Sequence, residues 1–375
     1  MRVLYFSHGS SIHDYHFLQG LADSEHEIFV LSLESRVPTA LGYPLPQKVR
    51  HVQWNAETAQ GISPEKCQLL VPEFKRVLDR VRPDLVHAGP VQTCGLVAAM
   101  SGFHPFLLMS WGRDILMDAN RNAFSEWCTR FALRSSDLLL CDSGAVVEAA
   151  RRWISYPEGR IIRFPWGINV ETFLSSPPPR TPLREQLGWL DAFIVLSTRS
   201  WEPIYNIGTL IEAFRLAHSR RPNVRLLMLG SGSQAEEVRH FVLRHRLSEV
   251  VHLAGRIEHE SILQYYDCAD VYVSCSLTDG SSVSLLEAMA RGLPPVVSDI
   301  PGNREWITPG ENGWLVPARS TSLFAGAILQ AADLSLVVRD RIAERNRQIV
   351  RERADWRKNF DRLLKAYESI EGETA

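Results

Sequence analysis

Lysine is nearly missing from this chain, which carries 5 lysines against 36 arginines. The bias leaves two readings open: planar guanidinium forks used against phosphate, or the coding bias of a GC-rich genome. An excess of either charge is missing too. The 41 basic and 43 acidic side chains leave a net charge of −2, which excludes a nucleic-acid coat and a polyanionic tail. The six cysteines (Cys67, Cys94, Cys128, Cys141, Cys268 and Cys275) form no CxxC pair, so neither a zinc ribbon nor a dithiol redox motif is indicated. Scattered and partly set in apolar runs, they are expected to be buried thiols in a reducing compartment. No stretch approaches the ~18 apolar residues of a membrane span. The start, MRVLYFSHGSS, is a short apolar run closing in polar residues, without the basic segment and long apolar core of a secretion signal. A cytoplasmic location is expected, with peripheral contact at the inner face of a membrane left open. No His, Asp or Cys cluster has ligand spacing, so neither a metal nor a cofactor is expected.

What is present is alternation. The 375 residues, 45% of them hydrophobic, are enough for two α/β domains. RVLYFSH, EIFVLSL, DLVHAG, FLLMSW and DLLLCDS are short apolar runs separated by helical stretches such as Pro64 to Val81 and Asp114 to Arg134. Runs this apolar suit parallel strands covered on both faces. Ser175 to Pro182, SSPPPRTP, holds four prolines in eight residues and reads as a stiff linker. Beyond it FIVLST, VRLLMLG, VHLAG, VYVSCS and PPVVSD repeat the pattern. The expected architecture is α/β: two Rossmann-like, doubly wound parallel sheets, over residues 1–174 and 183–345, joined by the linker 175–182. A terminal segment, 346–375, carries Trp356, Phe360, Leu363, Leu364 and Tyr367 at helical spacing, so it has an apolar stripe to dock. Between Arg339 and Lys358, eight basic residues face four acidic ones, either a solvated helix face or a membrane-surface contact.

In open α/β sheets ligands bind beyond the carboxyl ends of the strands, and four such loops stand out. Asp279-Gly-Ser-Ser-Val-Ser-Leu-Leu-Glu287 follows VYVSCS: Gly280 lets the backbone approach a ligand, Ser281 or Ser282 can cap the helix, and the first helical amides suit an anion. Two carboxylates beside a phosphate site would repel phosphate, but they suit hydroxyls on either side of it. Glu287, set between Leu286 and Ala288, needs a buried partner. Gly230 and Gly232 in LGSGS shape a strand-to-helix turn. Arg199, at the end of FIVLSTR, is placed to pair with a diphosphate. His8-Gly9-Ser10-Ser11 closes the first strand, with His8 read as structural.

From Leu253 to Pro317 the chain reads LAGRIEHESILQYYDCADVYVSCSLTDGSSVSLLEAMARGLPPVVSDIPGNREWITPGENGWLVP, with LSTR, LIEAF and LGSGS upstream. This stretch resembles the nucleotide-binding half of the family-four retaining glycosyltransferases, also called group 1, which have the GT-B fold. PDLVHAG and FPWGINVETF extend a looser likeness into the first domain. The resemblance implies two domains facing across a cleft, an acceptor-binding first domain, a donor-binding second domain, and a terminal helix that returns to the first. It implies transfer of a hexose-type sugar, with retention and without a metal, from a nucleotide diphosphate sugar to a glycan or lipid-linked acceptor, in polysaccharide biosynthesis. Glu287 would hold the ribose hydroxyls and Asp279 the transferring sugar, while the backbone from Gly280 through Ser281 and Ser282 to Val283 would cradle the diphosphate with Arg199. Arg256 and Ile257 would frame the base, and the Gly230 and Gly232 turn would line the donor site.

Three departures are visible. The first acid of the pair is Asp279 where the family has Glu. The lysine expected after Arg199 is replaced by Tyr205 and Asn206, leaving Arg256, Arg304 or Arg113 to supply charge. A histidine common near Ser110 is absent, so Trp111, Gly112, Arg113 and Asp114, with Gly9 and Ser10, become candidates for the acceptor or sugar wall. Two other readings share the architecture: a sugar-nucleotide epimerase, and a degenerate transferase that binds nucleotide sugar without turnover.

Overall fold

The computed structural model describes residues 1–9, 11–33, 44–54, 63–157, 159–175, 181–258 and 261–374. They form two units: Met1–Pro165 with Arg357–Ala375, and Trp166–Trp356.

In the first unit the strands are β1 (Arg2–Ser7), β2 (Glu27–Ser32), β3 (Val49–Val52), β4 (Leu85–Ala88), β5 (Phe106–Met109), β6 (Leu138–Cys141) and β7 (Ile161–Arg163). All pair in parallel, in the order β3-β2-β1-β4-β5-β6-β7. Every residue of β4, β5 and β6 is buried, which is why these strands read as unbroken apolar runs rather than alternating ones. The winding reverses between β1 and β4, and a crevice opens there at the carboxyl ends. His8 and Gly9 after β1 and Trp111 to Arg113 after β5 stand at that end.

The second unit repeats the plan with β8 (Phe193–Ser197), β9 (Val224–Leu229), β10 (Val251–Gly255), β11 (Val271–Ser274), β12 (Pro295–Ser298) and β13 (Trp314–Val316). The order is β10-β9-β8-β11-β12-β13, again all parallel. Its reversal lies between β8 and β11, the strands that lead into Arg199 and Asp279. No single helix among the described residues is long and apolar enough to cross a membrane.

The C-terminal helix, Trp356–Thr374, belongs to the first unit beyond its first residue. Phe360, Leu363, Tyr367 and Ile370 are buried. The Phe360 ring meets Phe17 at 5.9 Å and Phe164 at 6.3 Å between centroids. It also fills the space where a Cβ on Gly20 would sit, 2.7 Å away. The Tyr367 hydroxyl lies 2.5 Å from His87 Nδ1, and burial pushes the His87 pKa down to about 3, so that its ring is neutral.

Several boundaries differ from the sequence-based expectation. The first unit ends at Pro165 rather than 174, because Trp166, Ile168 and Phe173 are buried and the latter two join a core cluster of the second unit. The amide of Ile168 donates to the Ala354 carbonyl at 2.9 Å, and that of Trp356 to the Ile168 carbonyl at 3.1 Å. Residues 346–353 likewise stay with the second unit: in the helix Leu336–Arg353, Asn346 is buried and donates to the carbonyls of Leu293 and Asn312 at 3.3 and 3.2 Å. Residues 176–180 of the proline-rich joint lie outside the described residues, and Thr181–Gln186 is helical. The single helix expected from Asp114 to Arg134 is broken into Arg113–Leu116, a 3-10 turn at Asp118–Asn120 and Ala123–Ser135, and Asn122 caps the last piece by accepting from the Ser125 amide. The basic run after Arg339 spends much of its charge internally: Arg339 on Asp270 (3.3 Å), Arg351 on Glu344 (3.0 Å) and Arg353 on the Glu305 carbonyl (2.7 Å).

Docking of the terminal helix is expected to stabilise the first unit. Phe360→Ala should cost about 3–5 kcal/mol through lost burial and a residual cavity. Tyr367→Phe should cost about 1–3 kcal/mol by stranding His87 Nδ1 in an apolar surround. Urea unfolding of both variants checks this, and stabilities equal to wild type would refute it.

Candidate active site

Arg199 is the first polar side chain to consider, because the end of β8 carries it into the reversal point. Its Nη1 donates to the hydroxyls of Ser282 at 2.8 Å and Ser284 at 2.9 Å, and its Nη2 to Asp279 Oδ2 at 2.7 Å. The guanidinium carbon stands 4.1 Å from the centroid of the Tyr205 ring, within cation–π range. Burial works against this charge, but Asp279, and after it Tyr205, Tyr272 and Tyr266, hold the guanidinium above its ordinary range. Among the described residues its Nε is buried without a hydrogen-bond partner.

Ser282 is the N-cap residue of the helix Val283–Ala290, yet its side chain makes no capping bond, since its hydroxyl accepts from Arg199 instead. The expectation that Ser281 or Ser282 caps the helix therefore fails for Ser282; Ser281 is buried beside it. Ser282 thus leaves the first amides of this helix without its own side-chain acceptor, and helix-start amides suit an anion.

Glu287 lies one turn into the same helix, only 5% exposed. Its partner is Tyr266, whose hydroxyl donates to Glu287 Oε2 at 2.7 Å and lies 3.1 Å from Thr198 Oγ1. Burial pushes the Glu287 pKa up to about 7, although the Tyr266 hydroxyl and the Arg199 charge pull it down. Near neutrality this carboxyl is thus divided between an acid that can donate one hydrogen bond and an anion that accepts several.

The glycines of the LGSGS turn pack closely on backbone. A Cβ on Gly230 would lie 2.6 Å from the Arg199 carbonyl oxygen, and one on Gly232 2.4 Å from that of Trp201. These two positions admit the backbone of the Arg199 loop, which is tied down further by Trp201 N donating to Ser231 O at 2.9 Å. Both glycines therefore hold that loop in place. Gly302 acts in the same way on the other carboxylate: a Cβ there would lie 2.3 Å from the Gly280 carbonyl and 2.5 Å from that of Asp279.

Neither residue in the place of the missing lysine supplies charge. Tyr205 stacks on Arg199, and Asn206, at φ 52°, donates its amide to the Ala318 carbonyl at 2.8 Å. Arg304 is committed to Asp299 at 2.6 and 3.0 Å. Arg256 is exposed and Ile257 and Val283 half-buried, with both apolar side chains packed against the adjacent core.

In the first unit, Gly9 is buried and donates its amide to Asp14 Oδ2 at 3.2 Å, while Ser10 lies outside the described residues. His8 Nε2 is 2.8 Å from Thr93 Oγ1, and its ring lies 6.0 Å from that of Trp111. Trp111 is half-buried, and its Nε1 has no partner among the described residues. Arg113 is exposed and meets Asp118 at 3.4 Å. Asp114 points inward, which removes it from the acceptor wall. It accepts from Val91 N (3.0 Å), Ser110 Oγ (2.7 Å), Trp111 N (3.1 Å) and Ile115 N (2.9 Å), and so fixes the loop that presents Trp111.

Tyr266, Thr198, Ser284 and Gly302 were not singled out from the sequence. A buried Glu287 demands a partner, but nothing in the spacing identifies a tyrosine 21 positions earlier. Glu287→Gln tests the site's electrostatics. Because the folded carboxyl titrates near 7 against about 4.5 unfolded, the folded state holds the extra proton between those values, and wild-type stability is lost as pH rises through that window. The neutral amide escapes this loss, so its stability relative to wild type should rise between pH 5 and 8 by about 1–3 kcal/mol. Equal pH profiles in urea unfolding would refute the burial-driven shift.

Comparison with known proteins agrees with this arrangement. Residues 179–349 match the model of glycosyl transferases group 1, and residues 2–143 match that of glycosyl transferase 4-like proteins. A phosphatidyl-myo-inositol mannosyltransferase of Mycobacterium leprae is 29% identical over 231 residues, 60% of this chain and 58% of that protein. The chain spans 22% to 60% of the length of curated relatives of this kind. Among solved structures, sucrose-phosphate synthase from Thermosynechococcus elongatus is similar with a TM-score of 0.84 at 21% identity, over 100% of both chains. HepE of Anabaena in complex with UDP-glucose is similar with a TM-score of 0.79 at 20% identity, over 98% of this chain and 100% of that one. With both halves matched by glycosyltransferase models and with two parallel α/β units, the chain belongs to the group 1 glycosyltransferases of GT-B fold.

Proposed function

We propose that this protein transfers a hexose-type sugar, with retained anomeric configuration and without a metal, from a nucleotide diphosphate sugar to a glycan or lipid-linked acceptor. The observation that carries the reading is the set at the β8–β11 reversal: Arg199 bound to Asp279, Ser282 and Ser284 beside a helix start that Ser282 does not cap, with Glu287 one turn deeper. Guanidinium and helix amides form a fixed positive site for a diphosphate. As the bond to the sugar breaks, negative charge grows on that diphosphate, and donors already in place stabilise it without reorganising. Glu287, as the anion, accepts from vicinal ribose hydroxyls. Asp279 is half-buried, with a side-chain exposure of 20%, and faces the hydroxyls of the transferring sugar.

A nucleotide sugar as donor is supported by the UDP-glucose held by HepE. A lipid-linked acceptor is supported by the phosphatidylinositol named in the mycobacterial relatives. Trp111 and Arg113 are the acceptor-side residues in this reading.

Thermal unfolding with a panel of nucleoside diphosphates and their sugars, with and without chelator, tests the donor. A bound donor at a hundred times its Kd adds about 2.7 kcal/mol of stability, and that shift should survive chelation. Glu287→Ala should abolish it, whereas Asp279→Asn should keep nucleotide binding and cut turnover. A shift that vanishes with chelator would overturn the metal-free scheme. Conversion of the donor sugar in the absence of acceptor would reassign the chain as an epimerase, and anomeric analysis of the product decides retention.

A further inference from the structure

The helix Ile262–Cys268 brings one tyrosine against the helix that carries Glu287. Tyr266 is fully buried, and its ring packs edge-on against Phe173, with centroids 6.2 Å apart and planes at 75°. Its hydroxyl has three polar neighbours: Glu287 Oε2 at 2.7 Å, Thr198 Oγ1 at 3.1 Å and the Ser284 carbonyl at 3.3 Å. A phenol has one proton to give, and the shortest contact places it on Glu287. Burial, with the Glu287 charge after it, pushes the Tyr266 pKa well above its ordinary value, so the hydroxyl keeps that proton. Oε2 of Glu287 is the oxygen that Tyr266 holds; among the described residues Oε1 has no hydrogen-bond partner.

Two arrangements of protons satisfy this cluster. With Glu287 ionised, Tyr266 donates to Oε2 and can accept from Thr198. With Glu287 protonated, the carboxyl can donate to the Tyr266 oxygen, whose own proton then turns to the Ser284 carbonyl or to Thr198. Vicinal ribose hydroxyls distinguish the two, because both are donors and a carboxylate accepts from both, whereas an acid offers less acceptor capacity. The titratable and charged groups around Glu287 are Tyr266, Tyr272 from β11, and Arg199 and Asp279 from the loops after β8 and β11. At the far end of its helix Arg291 is bound to Asp267 and to the carbonyls of Phe173 and Ser175. Arg347 stands against Gly292, and Glu171 is exposed. Of all these, Tyr266 and Arg199 act on Glu287. Arg199 is committed to Asp279, Ser282 and Ser284, which leaves the Tyr266 hydroxyl to select between the two arrangements.

Resting on the reading of Glu287 as the ribose contact, we propose that Tyr266 is a positioning residue of the donor site: its hydroxyl, steadied by Thr198 and Ser284, holds Glu287 through Oε2 as the anion whose Oε1 receives the ribose hydroxyls. Donor binding below neutrality then releases a proton. The O–H bond of the Glu287 carboxyl breaks, its proton passes to solvent, and the electron pair left on the carboxylate accepts the ribose O–H groups. Affinity is therefore lost as pH falls through about 7, where this carboxyl titrates.

Calorimetric titration of the full chain with UDP-glucose, GDP-mannose or ADP-glucose, whichever stabilises it most, tests this. These diphosphate esters lack the terminal phosphate ionisation at about pH 6, so a proton released on binding belongs to the protein. In paired buffers of different ionisation heat, wild type should release about one proton per donor at pH 6 and few at pH 8, and bind about tenfold more tightly at pH 8. Tyr266→Phe should move the pH of half-lost affinity up by about one unit. Its binding should then be weaker by about fivefold at pH 7 and nearly equal to wild type at pH 9, with KM for the donor raised and kcat spared. Glu287→Gln should bind weakly at every pH and release no proton. If Tyr266→Phe does not fold, Thr198→Val carries the test, with a smaller move in the same direction. A pH profile unmoved or lowered in these variants, or wild-type binding that releases no proton, would overturn the inference and leave the donor site standing. Wild-type affinity in Glu287→Ala would instead overturn the ribose reading, and failure of wild type to bind any of the three would overturn both.

Discussion

A positive charge buried at the end of a parallel strand is the constraint on which the second unit is built. Taking a guanidinium out of water is expensive, and one ion pair seldom repays it. Arg199 is tolerable because Asp279, two serine hydroxyls and the face of Tyr205 converge on it. That convergence requires the loops after β8 and β11 to meet. They meet because the strand order reverses between those two strands, and because Gly230, Gly232 and Gly302 leave out side chains that would push them apart.

The two carboxylates of the site are held in different ways. Asp279 is beside a permanent cation and so is kept for contact through charge. Glu287 is withdrawn among apolar side chains with a tyrosine hydroxyl as its near partner, and its proton is held to about pH 7. A ligand hydroxyl reaching Glu287 meets a group close to its own titration point, so small changes in surrounding charge alter how many hydrogen bonds it can accept. The tyrosine under Arg199, near where the resemblance led us to expect a lysine, adds no charge there. Among the described residues, the positive potential seen at this site comes from Arg199 and the start of the helix Val283–Ala290.

Much of this was legible in the residues. Strands buried on both faces show as apolar runs, and the loops that follow them show as breaks rich in glycine, serine and acid, so the doubly wound units and the pair Asp279 and Glu287 are readable in the chain. Long-range partners are not. Tyr266 becomes the partner of Glu287 only when two helices and a strand are packed, and Asp114 turns inward because three donors of its own turn and the distant Val91 amide surround it. Local breaks were hidden as well. The stretch from Asp114 to Arg134 has helical composition throughout, but Met117 at φ −125° and the Asn122 cap break and restart the helix within it. The glycines of LGSGS were visible, while their reason, the carbonyls of Arg199 and Trp201, was not.

The first unit is discontinuous in sequence: its sheet is complete by Arg163, yet Phe360 and Tyr367, which seal one flank of it, come after the whole of the second unit. During synthesis the early sheet must wait, with Phe17 and His87 uncovered, while roughly two hundred further residues are made at ~5–20 residues per second. The second unit is contiguous and can close first. The order of assembly is therefore the reverse of what the order of the strands suggests, and a helix made only after the whole second unit is the one that completes the first.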